Sequence, residues 1–353
     1  MMAAAMSATA QIPYSLETEA AADSIEQDDC PFGMLTHTVS PDISARQVKP
    51  GIIVIGSGPT TRCVNAFGGS ATGGTGYAEV ANLYKRELGP DVKVYFMVIP
   101  IAAEFYCPES AWKWNRSQRA TLCNMYSHLS PDVIPVDVYT TLNEHADEDI
   151  YLRTDHHWAP LGGYYAAREL AKACGVPFKD LDSYDRHVIR NYVGSMYHYS
   201  KDMSVKRAPE DFVYWTPRDI EYTTTYINYS VGANRQVGGA SQPKEGAFFM
   251  SYPDGSTGAY CTFMGGDAKI TKVVTPVRNG RKIMIMKDSF GNAIPGYLFY
   301  SFEEVHVIDF RYFKKNLKRY VADNGITDVV FANNIGHAYV SSTHRAYEKL
   351  LTQ

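Results

Sequence analysis

The run KIMIMKDSFGNA, residues 282–293, sets an apolar segment directly before a polar turn. KIMIM has the length and composition of a central buried strand. Asp-Ser-Phe-Gly follows it, ahead of an expected helix from about residue 291. A strand that hands over to a helix belongs to alternating α/β folds, and the carboxyl edge of such a sheet is where ligands bind. Ser289 stands at that junction and is a candidate nucleophile. Its own N–H and those of its neighbours would point out of a helix N-terminus, toward a developing oxyanion. The same position suits an N-cap, so Asp288 or Ser289 is alternatively a cap with no chemistry.

The rhythm continues on both sides. Downstream come EVHVID (304–309), a helix over 313–323, DVVFANN (328–334) and a last helix over 341–352. Upstream stand GIIVIGSG (51–58), the helical spacing of YAEVANLYKREL (77–88) and VKVYFMVIP (92–100). A helix over 110–129, the strand VIPVDVY (133–139) and the helix LGGYYAARELAKAC (161–174) complete that half. The segments 52–55, 93–99, 134–139, 283–286, 305–308 and 328–332 are expected to share one mostly parallel sheet covered on both faces. Between 178 and 277 the pattern breaks into short Tyr/Thr/Val runs separated by turn residues, which predicts a β-hairpin-rich insertion.

Composition narrows the function. The 353 residues carry 34 Lys+Arg against 38 Asp+Glu, a formal charge of −4. No basic excess points to nucleic acid or an anionic membrane as the main partner. The 6 cysteines include no CxxC, which argues against a structural zinc site or a thioredoxin-like motif; isolated buried thiols are expected, with one or two disulfides as the alternative. No run of 18 or more apolar residues is present. Residues 1–45 hold no Lys or Arg and lack the basic start and apolar stretch of a signal peptide, so they are expected to form a flexible acidic leader. Residues 46–353 are expected to form the α/β domain. Tyrosine is abundant, 26 residues. That suits strand-rich structure, and it also suits a surface that grips polar rings.

A second chemical cluster is Thr154-Asp155-His156-His157-Trp158, ahead of a helix. An Asp two residues from a His can orient the imidazole and stabilise its charged form. Two neighbouring histidines raise the alternative of metal ligation in a phosphoesterase. However, adjacent side chains diverge, and the separated Asp motifs of a two-metal site are missing. The bland alternative is a surface loop with incidental histidines. Taken with Ser289, the cluster supplies nucleophile, base and orienting carboxylate. Ser57 in GSG is a rival nucleophile, with no Asp before it.

The segment YLRTDHHWAPLGGYYAARELA (151–171) resembles the signature of the DHHW proteins of bacteria. These are similar to alginate O-acetyltransferase proteins of the SGNH-hydrolase-like superfamily. The likeness continues in NYVGSMYHYSKD (191–202), MIMKDSFGNA (284–293) and VIDFRYFKKNL (307–317). It implies a three-layer α/β/α fold with a mostly parallel sheet and a β-rich insertion. It also implies a triad in permuted order, which falls on Asp155, His157 and Ser289, with His156 at the variable position between the first two. Asn334, or its neighbour Asn333, would complete an oxyanion site at a strand end. Tyr192, Tyr197, Tyr199 and Trp215 would offer aromatic faces to sugar rings. The implied activity is an acyltransferase or esterase that adds or removes O-acetyl groups on a cell-envelope or extracellular carbohydrate. The partners would be an acyl donor and a carbohydrate acceptor, alongside membrane-associated acetylation machinery. The location would be extracytoplasmic, with no metal and no cofactor. The alternative is an inactive carbohydrate-binding or envelope-assembly protein of the same fold. The glycine-rich stretch 56–76 exceeds what the family pattern leads one to expect, and reads as an active-site loop or a phosphate cradle without the GK[ST] of a P-loop.

Overall fold

The computed structural model describes residues 30–234 and 236–353. Its centre is a nine-stranded sheet. Five neighbouring strands run parallel, in the spatial order β13 (Glu304–Asp309), β12 (Lys282–Lys287), β14 (Asp328–Asn334), β4 (Lys93–Ile99) and β5 (Val133–Pro135). β12, β13 and β14 are buried along nearly their whole length, which is why they read as continuous apolar runs. Lys287 lies beside Asp309 on one side and Ala332 on the other. The carboxyl ends of β12, β13 and β14 are therefore level, and the turns that follow them share one edge.

Helices cover both faces. Phe96 meets Tyr77 of the helix Thr75–Leu88, with ring centroids 5.2 Å apart. The adjacent Tyr95 points to the other face. There its hydroxyl bonds Asp328, and Arg281, paired with that same Asp328, donates to Cys174 O at the end of the helix Pro160–Cys174. The architecture is therefore α/β/α.

The sheet continues beyond β13 through antiparallel strands. β11 (Lys269–Val274) pairs β13, β8 (Thr223–Val231) pairs β11, and both β9 (Val237–Ala240) and β10 (Lys244–Glu245) pair β8. The region expected to be an insertion is thus divided. Only β6 (Tyr184–Tyr192) and β7 (Glu210–Pro217) form a separate two-stranded hairpin. β8 and β11 have one buried face and one wetter face, the usual condition of an antiparallel extension.

Several sequence expectations need correction. The run 52–55 is a buried strand, β2 (Ile52–Ile55). It pairs with β1 (Ala45–Lys49) and β3 (Arg62–Asn65) in a small antiparallel sheet rather than joining β4. Only the three-residue 3-10 turn Gly58–Thr60 separates β2 from β3, too short for a crossover, and without one two consecutive strands pair antiparallel. The strand expected over 133–139 stops at Pro135. Asp137 accepts a hydrogen bond from Thr140 N at 2.9 Å and caps the helix Val138–Glu144. The helix expected over 110–129 is a 3-10 turn, Glu109–Trp114, followed by the helix Gln118–Ser127. The helix over 313–323 begins later, as Leu317–Asn324, because Asn316 caps it. After Ser289 comes no long helix. Two 3-10 turns, Ser289–Ala293 and Pro295–Leu298, replace it, since Pro295 lacks the N–H that a continuing helix needs.

Most of the expected leader, residues 1–29, lies outside the described residues. The described part is tied down. Cys30 forms a disulfide with Cys123, so these two are not free thiols. Phe32 is buried, and Arg119 donates to the carbonyls of Phe32 and Gly33 at 2.7 and 2.9 Å. Two backbone carbonyls on one guanidinium hold this segment against the domain.

Candidate active site

Asp288 is the cap of the turn that follows β12: its Oδ1 accepts from Phe290 N at 2.9 Å. That leaves the Ser289 hydroxyl free for another partner. His157 supplies it, with Nε2 2.7 Å from Ser289 Oγ. On the far side of the same ring, Nδ1 lies 2.6 Å from Asp155 Oδ1. A carboxylate only accepts, so Nδ1 carries the proton and Nε2 accepts from the serine. Asp155, His157 and Ser289 are all buried, so this chain of bonds lies in a low-dielectric setting.

The loop that carries the two histidines is shaped by its surroundings. An isolated antiparallel bridge between Tyr151 and Trp158 closes it. Glu210, at the start of β7, accepts from Arg153 N and Thr154 N at 2.7 and 2.6 Å. Trp158 Nε1 donates to Phe290 O at 2.8 Å and ties the loop to the serine turn. Tyr260 stacks flat on His157, with centroids 3.8 Å apart and planes 4° from parallel. Its hydroxyl reaches Ser289 O and Phe290 O, each at 3.1 Å. Base and nucleophile are thus held by one tyrosine as well as by each other.

Asp155 is saturated. Its Oδ2 accepts from Tyr192 OH and from Ser195 N, each at 2.8 Å. A Cβ on Gly194 would lie 2.4 Å from the Asp155 side chain, so this approach needs glycine. Burial alone would push the Asp155 carboxyl up; the His157 charge and hydrogen bond, helped by His156 and Ser195 N, hold it well below the usual carboxylate range. It stays ionised and can stabilise a charged His157.

Beneath the serine turn lies a buried ionic group. Lys287 Nζ sits 2.9 Å from Asp267 and 3.1 Å from Asp309. Arg311 bridges the same two carboxylates at 3.1 and 2.6 Å, and Asn292 Nδ2 bonds Asp267 at 2.8 Å. Asn292 belongs to the turn of Ser289, so the network fixes the turn from below.

The other expected site residues fare differently. Asn334 is beside Asp288, but its amide is fully engaged: Nδ2 donates to Asp288 Oδ2 at 2.9 Å and meets His337 Nδ1 at 3.0 Å. It caps the helix Ile335–Tyr339 and has no N–H left for an oxyanion. Asn333, the rival, bonds Asp288 through Nδ2 and accepts from Tyr347 and Tyr77. Tyr192 is buried on Asp155 and cannot present a face to a sugar. Tyr197 lies over Lys206 and Met203, packed with Ile52 and Val54 of β2. Trp215 is three residues from Phe212, the β7 residue that approaches Tyr260, so strand alternation puts it on the opposite face. Tyr199 alone of the four borders the histidines, 5.7 Å from the His156 ring. Ser57 is exposed at a turn. The glycine-rich stretch packs instead of cradling: added Cβ atoms on Gly69 and Gly73 would lie 2.8 and 2.3 Å from Tyr339.

Asp155, His156 and His157 offer ligand atoms within 4.8 Å of one another. For an ion to bind them, His157 would have to release Asp155 or Ser289, since each of its nitrogens already has a partner.

The profile of the DHHW protein family matches residues 38–308. The chain belongs to the DHHW protein family. A crystal structure of a DHHW family protein from Eubacterium siraeum is 36% identical, with a TM-score of 0.77; the likeness covers 87% of this chain and 97% of that one. The structure of Bacillus cereus PatB1 with a sulfonyl adduct shares the fold at 18% identity and a TM-score of 0.63, over 85% of this chain and 98% of that one. Comparison with curated proteins finds no match. Within this DHHW protein, the letters of the motif divide the labour of the loop: His157 faces the serine with Asp155 behind it, Trp158 staples the loop, and His156 lies over His157 with centroids 3.7 Å apart.

Sequence reasoning misses Tyr260, Glu210 and the buried ionic group. Ser195 and Gly194 sit inside the block 191–202 that carries the family likeness, which is the one signal that could have found them. Nothing in the local pattern around Tyr260 marks it.

Proposed function

We propose that this protein is a serine acyltransferase or esterase that adds or removes O-acetyl groups on an extracytoplasmic carbohydrate. The observation that carries the reading is the unbroken bond chain from Asp155 through His157 to Ser289. His157 Nε2 takes the hydroxyl proton as Ser289 Oγ attacks the acyl carbon. The tetrahedral intermediate collapses, the donor's leaving group departs with the proton from His157, and an acetyl-serine remains. A sugar hydroxyl or water, deprotonated by His157, then releases the acetyl group. Asp155 holds the imidazole in the required tautomer throughout.

Support for the substrate class comes from the motif likeness to alginate O-acetyltransferases and from Tyr199 beside the histidines. Support for an oxidising compartment comes from the Cys30–Cys123 disulfide, since such bonds persist outside the reducing cytosol. No helix among the described residues is long and apolar enough to cross a membrane.

The test is hydrolysis of p-nitrophenyl acetate by the full chain, with and without an oligosaccharide acceptor, for wild type and Ser289→Ala. Ser289→Ala should abolish turnover, a sulfonyl fluoride should label Ser289, and chelator should change nothing. An acceptor that captures the acetyl group marks a transferase, and release to water alone marks an esterase. A Ser289→Ala protein with wild-type turnover would refute the reading.

A further inference from the structure

The second imidazole of the motif has no part in the bond chain, yet it is placed as if it had one. His156 Nε2 is buried and has no hydrogen-bond partner. Its other nitrogen, Nδ1, lies 2.5 Å from Ser195 Oγ, which also receives the His156 N–H at 3.3 Å. A serine hydroxyl has one proton to give, and Nδ1 is the acceptor beside it. Accepting at Nδ1 places the ring proton of a neutral His156 on Nε2. Burial, followed by the charge of His157, pushes the His156 imidazole down to about 3, so the ring is neutral at physiological pH.

The side on which that N–H lies follows from the ring pair. His157 Nδ1 and His156 Nδ1 both face Asp155 Oδ1, at 2.6 and 3.6 Å. The ring centroids are 3.7 Å apart with the planes inclined by 38°. Two overlapping rings with their Nδ1 atoms toward one carboxylate oxygen have their far edges, each carrying Nε2 and Cδ2, on the same side. His157 Nε2 ends on Ser289 Oγ, so the far edge of His156, which carries its Nε2–H, lies on the Ser289 side of the ring pair.

The site is short of donors there. Phe290 N is taken by Asp288, and both N–H bonds of the Asn334 amide are engaged. The turn after Ser289 is a five-residue 3-10 segment, too short for much of a macrodipole. From that side the Ser289 N–H, the first of the turn and so without a partner inside it, is left for an oxyanion.

Resting on the serine mechanism above, we propose that His156 Nε2–H is an oxyanion donor, bonding the acyl oxygen as Ser289 Oγ attacks. As the Oγ–carbon bond forms, the carbonyl π pair moves to that oxygen and the hydroxyl proton passes to His157. A donor fixed before the reaction and shielded from water stabilises this charge most.

The experiment compares wild type, Ser289→Ala, His156→Ala, His156→Phe and His156→Gln in p-nitrophenyl acetate turnover, in Ser289 labelling by a sulfonyl fluoride read by mass spectrometry, and in kcat against pH. His156→Ala and His156→Phe remove the donor, the latter keeping ring volume should the alanine variant fold poorly, while His156→Gln keeps an N–H. Loss of one oxyanion donor should lower kcat by about 10²–10³-fold with KM within about threefold. His156→Gln should recover part of this, and the pH profile should keep its shape. Turnover and labelling at wild-type rates in His156→Phe would overturn the proposal. So would equal losses in the Phe and Gln variants with a displaced pH profile, which would make His156 a positioning residue for His157. A wild type that neither turns over nor labels at Ser289 would instead overturn the serine mechanism, and this inference with it.

Discussion

Asp155 and Asp288 are both buried carboxylates that meet an imidazole close to Ser289, and they are built for different tasks. Asp155 Oδ1 takes the His157 Nδ1–H, and the far nitrogen of that ring ends on the serine hydroxyl. Asp288 accepts mainly from amides: Phe290 N, Asn334 N, and the side chains of Asn333 and Asn334. His337 Nδ1 stands 3.1 Å from Asp288, but Asn334 Nδ2, at 3.0 Å, donates to the same nitrogen. A nitrogen that accepts cannot also hand a proton to the carboxylate, so His337 is not oriented as His157 is. The lesson is that an Asp–His contact becomes a candidate base only when the second ring nitrogen reaches a nucleophile. When amides saturate the carboxylate, it is a structural clasp.

The largest expected contrast is in turnover. His157→Ala should lower kcat by about 10³-fold or more, as removal of a triad member does. His337→Ala should lower it less than about tenfold. Steady-state rates on an acetyl ester decide, and equal losses would erase the distinction between the two pairs. Stability should contrast the other way. Asp288→Asn turns an acceptor of four amide N–H groups into a side chain with its own N–H bonds among them, with the serine turn left unclasped. The expected cost is about 2–4 kcal/mol, read as a fall in the urea midpoint. A change below about 1 kcal/mol would mean that the turn is held by the Lys287–Asp267 network instead.

How far the sequence reaches is instructive at the same two carboxylates. Strands β12, β13 and β14 are legible because both faces are buried and the runs are continuously apolar. β2 looks the same but belongs to another sheet; the apolar run gives burial and no partner, and only the short connection to β3 tells against a crossover. Asp155, His157 and Ser289 are legible as a group through motif and strand-end position. Asn334 is misread, because strand-end position shows that it faces the site but not that Asp288 absorbs its N–H bonds. Tyr260 and Glu210 come from stretches with no periodicity to point at a loop that is distant in sequence.

A smaller effect concerns acid. In the unfolded chain the His156 ring charges near an ordinary imidazole value of about 6.5, whereas in the fold, burial and then the His157 charge push it down to about 3. Between those values the unfolded chain binds a proton that the folded chain does not. Stability therefore falls as pH drops below about 6.5, by at most about 1.4 kcal/mol per pH unit. Glu104 and Glu210, pushed up by burial, act in the opposite sense, so the comparison must be with His156→Phe. Urea midpoints at pH 7, 5.5 and 4.5 should fall more steeply for wild type than for the variant. Parallel slopes would mean that His156 is already charged in the fold, against its role as a neutral donor.

The smallest expected effect tests how Asp155 is held. Tyr192 OH donates to Asp155 Oδ2 at 2.8 Å, and Ser195 N donates to the same oxygen. Tyr192→Phe keeps the ring in its packing against Phe212 and removes only the hydroxyl. The carboxylate keeps Ser195 N and both His157 bonds, so its orientation should survive with one donor fewer. A hydrogen bond to a charged group contributes roughly 1.5–3 kcal/mol, part of which the remaining donors recover by tightening. The expected outcome is a loss of about 1 kcal/mol in transition-state stabilisation, roughly fivefold in kcat, with KM nearly unchanged. A residue that grips the sugar would show the reverse, a raised KM at constant kcat. Measured against an oligosaccharide acceptor, that second pattern would place Tyr192 on the substrate and leave Asp155 clasped by the backbone alone, much as Asp288 is.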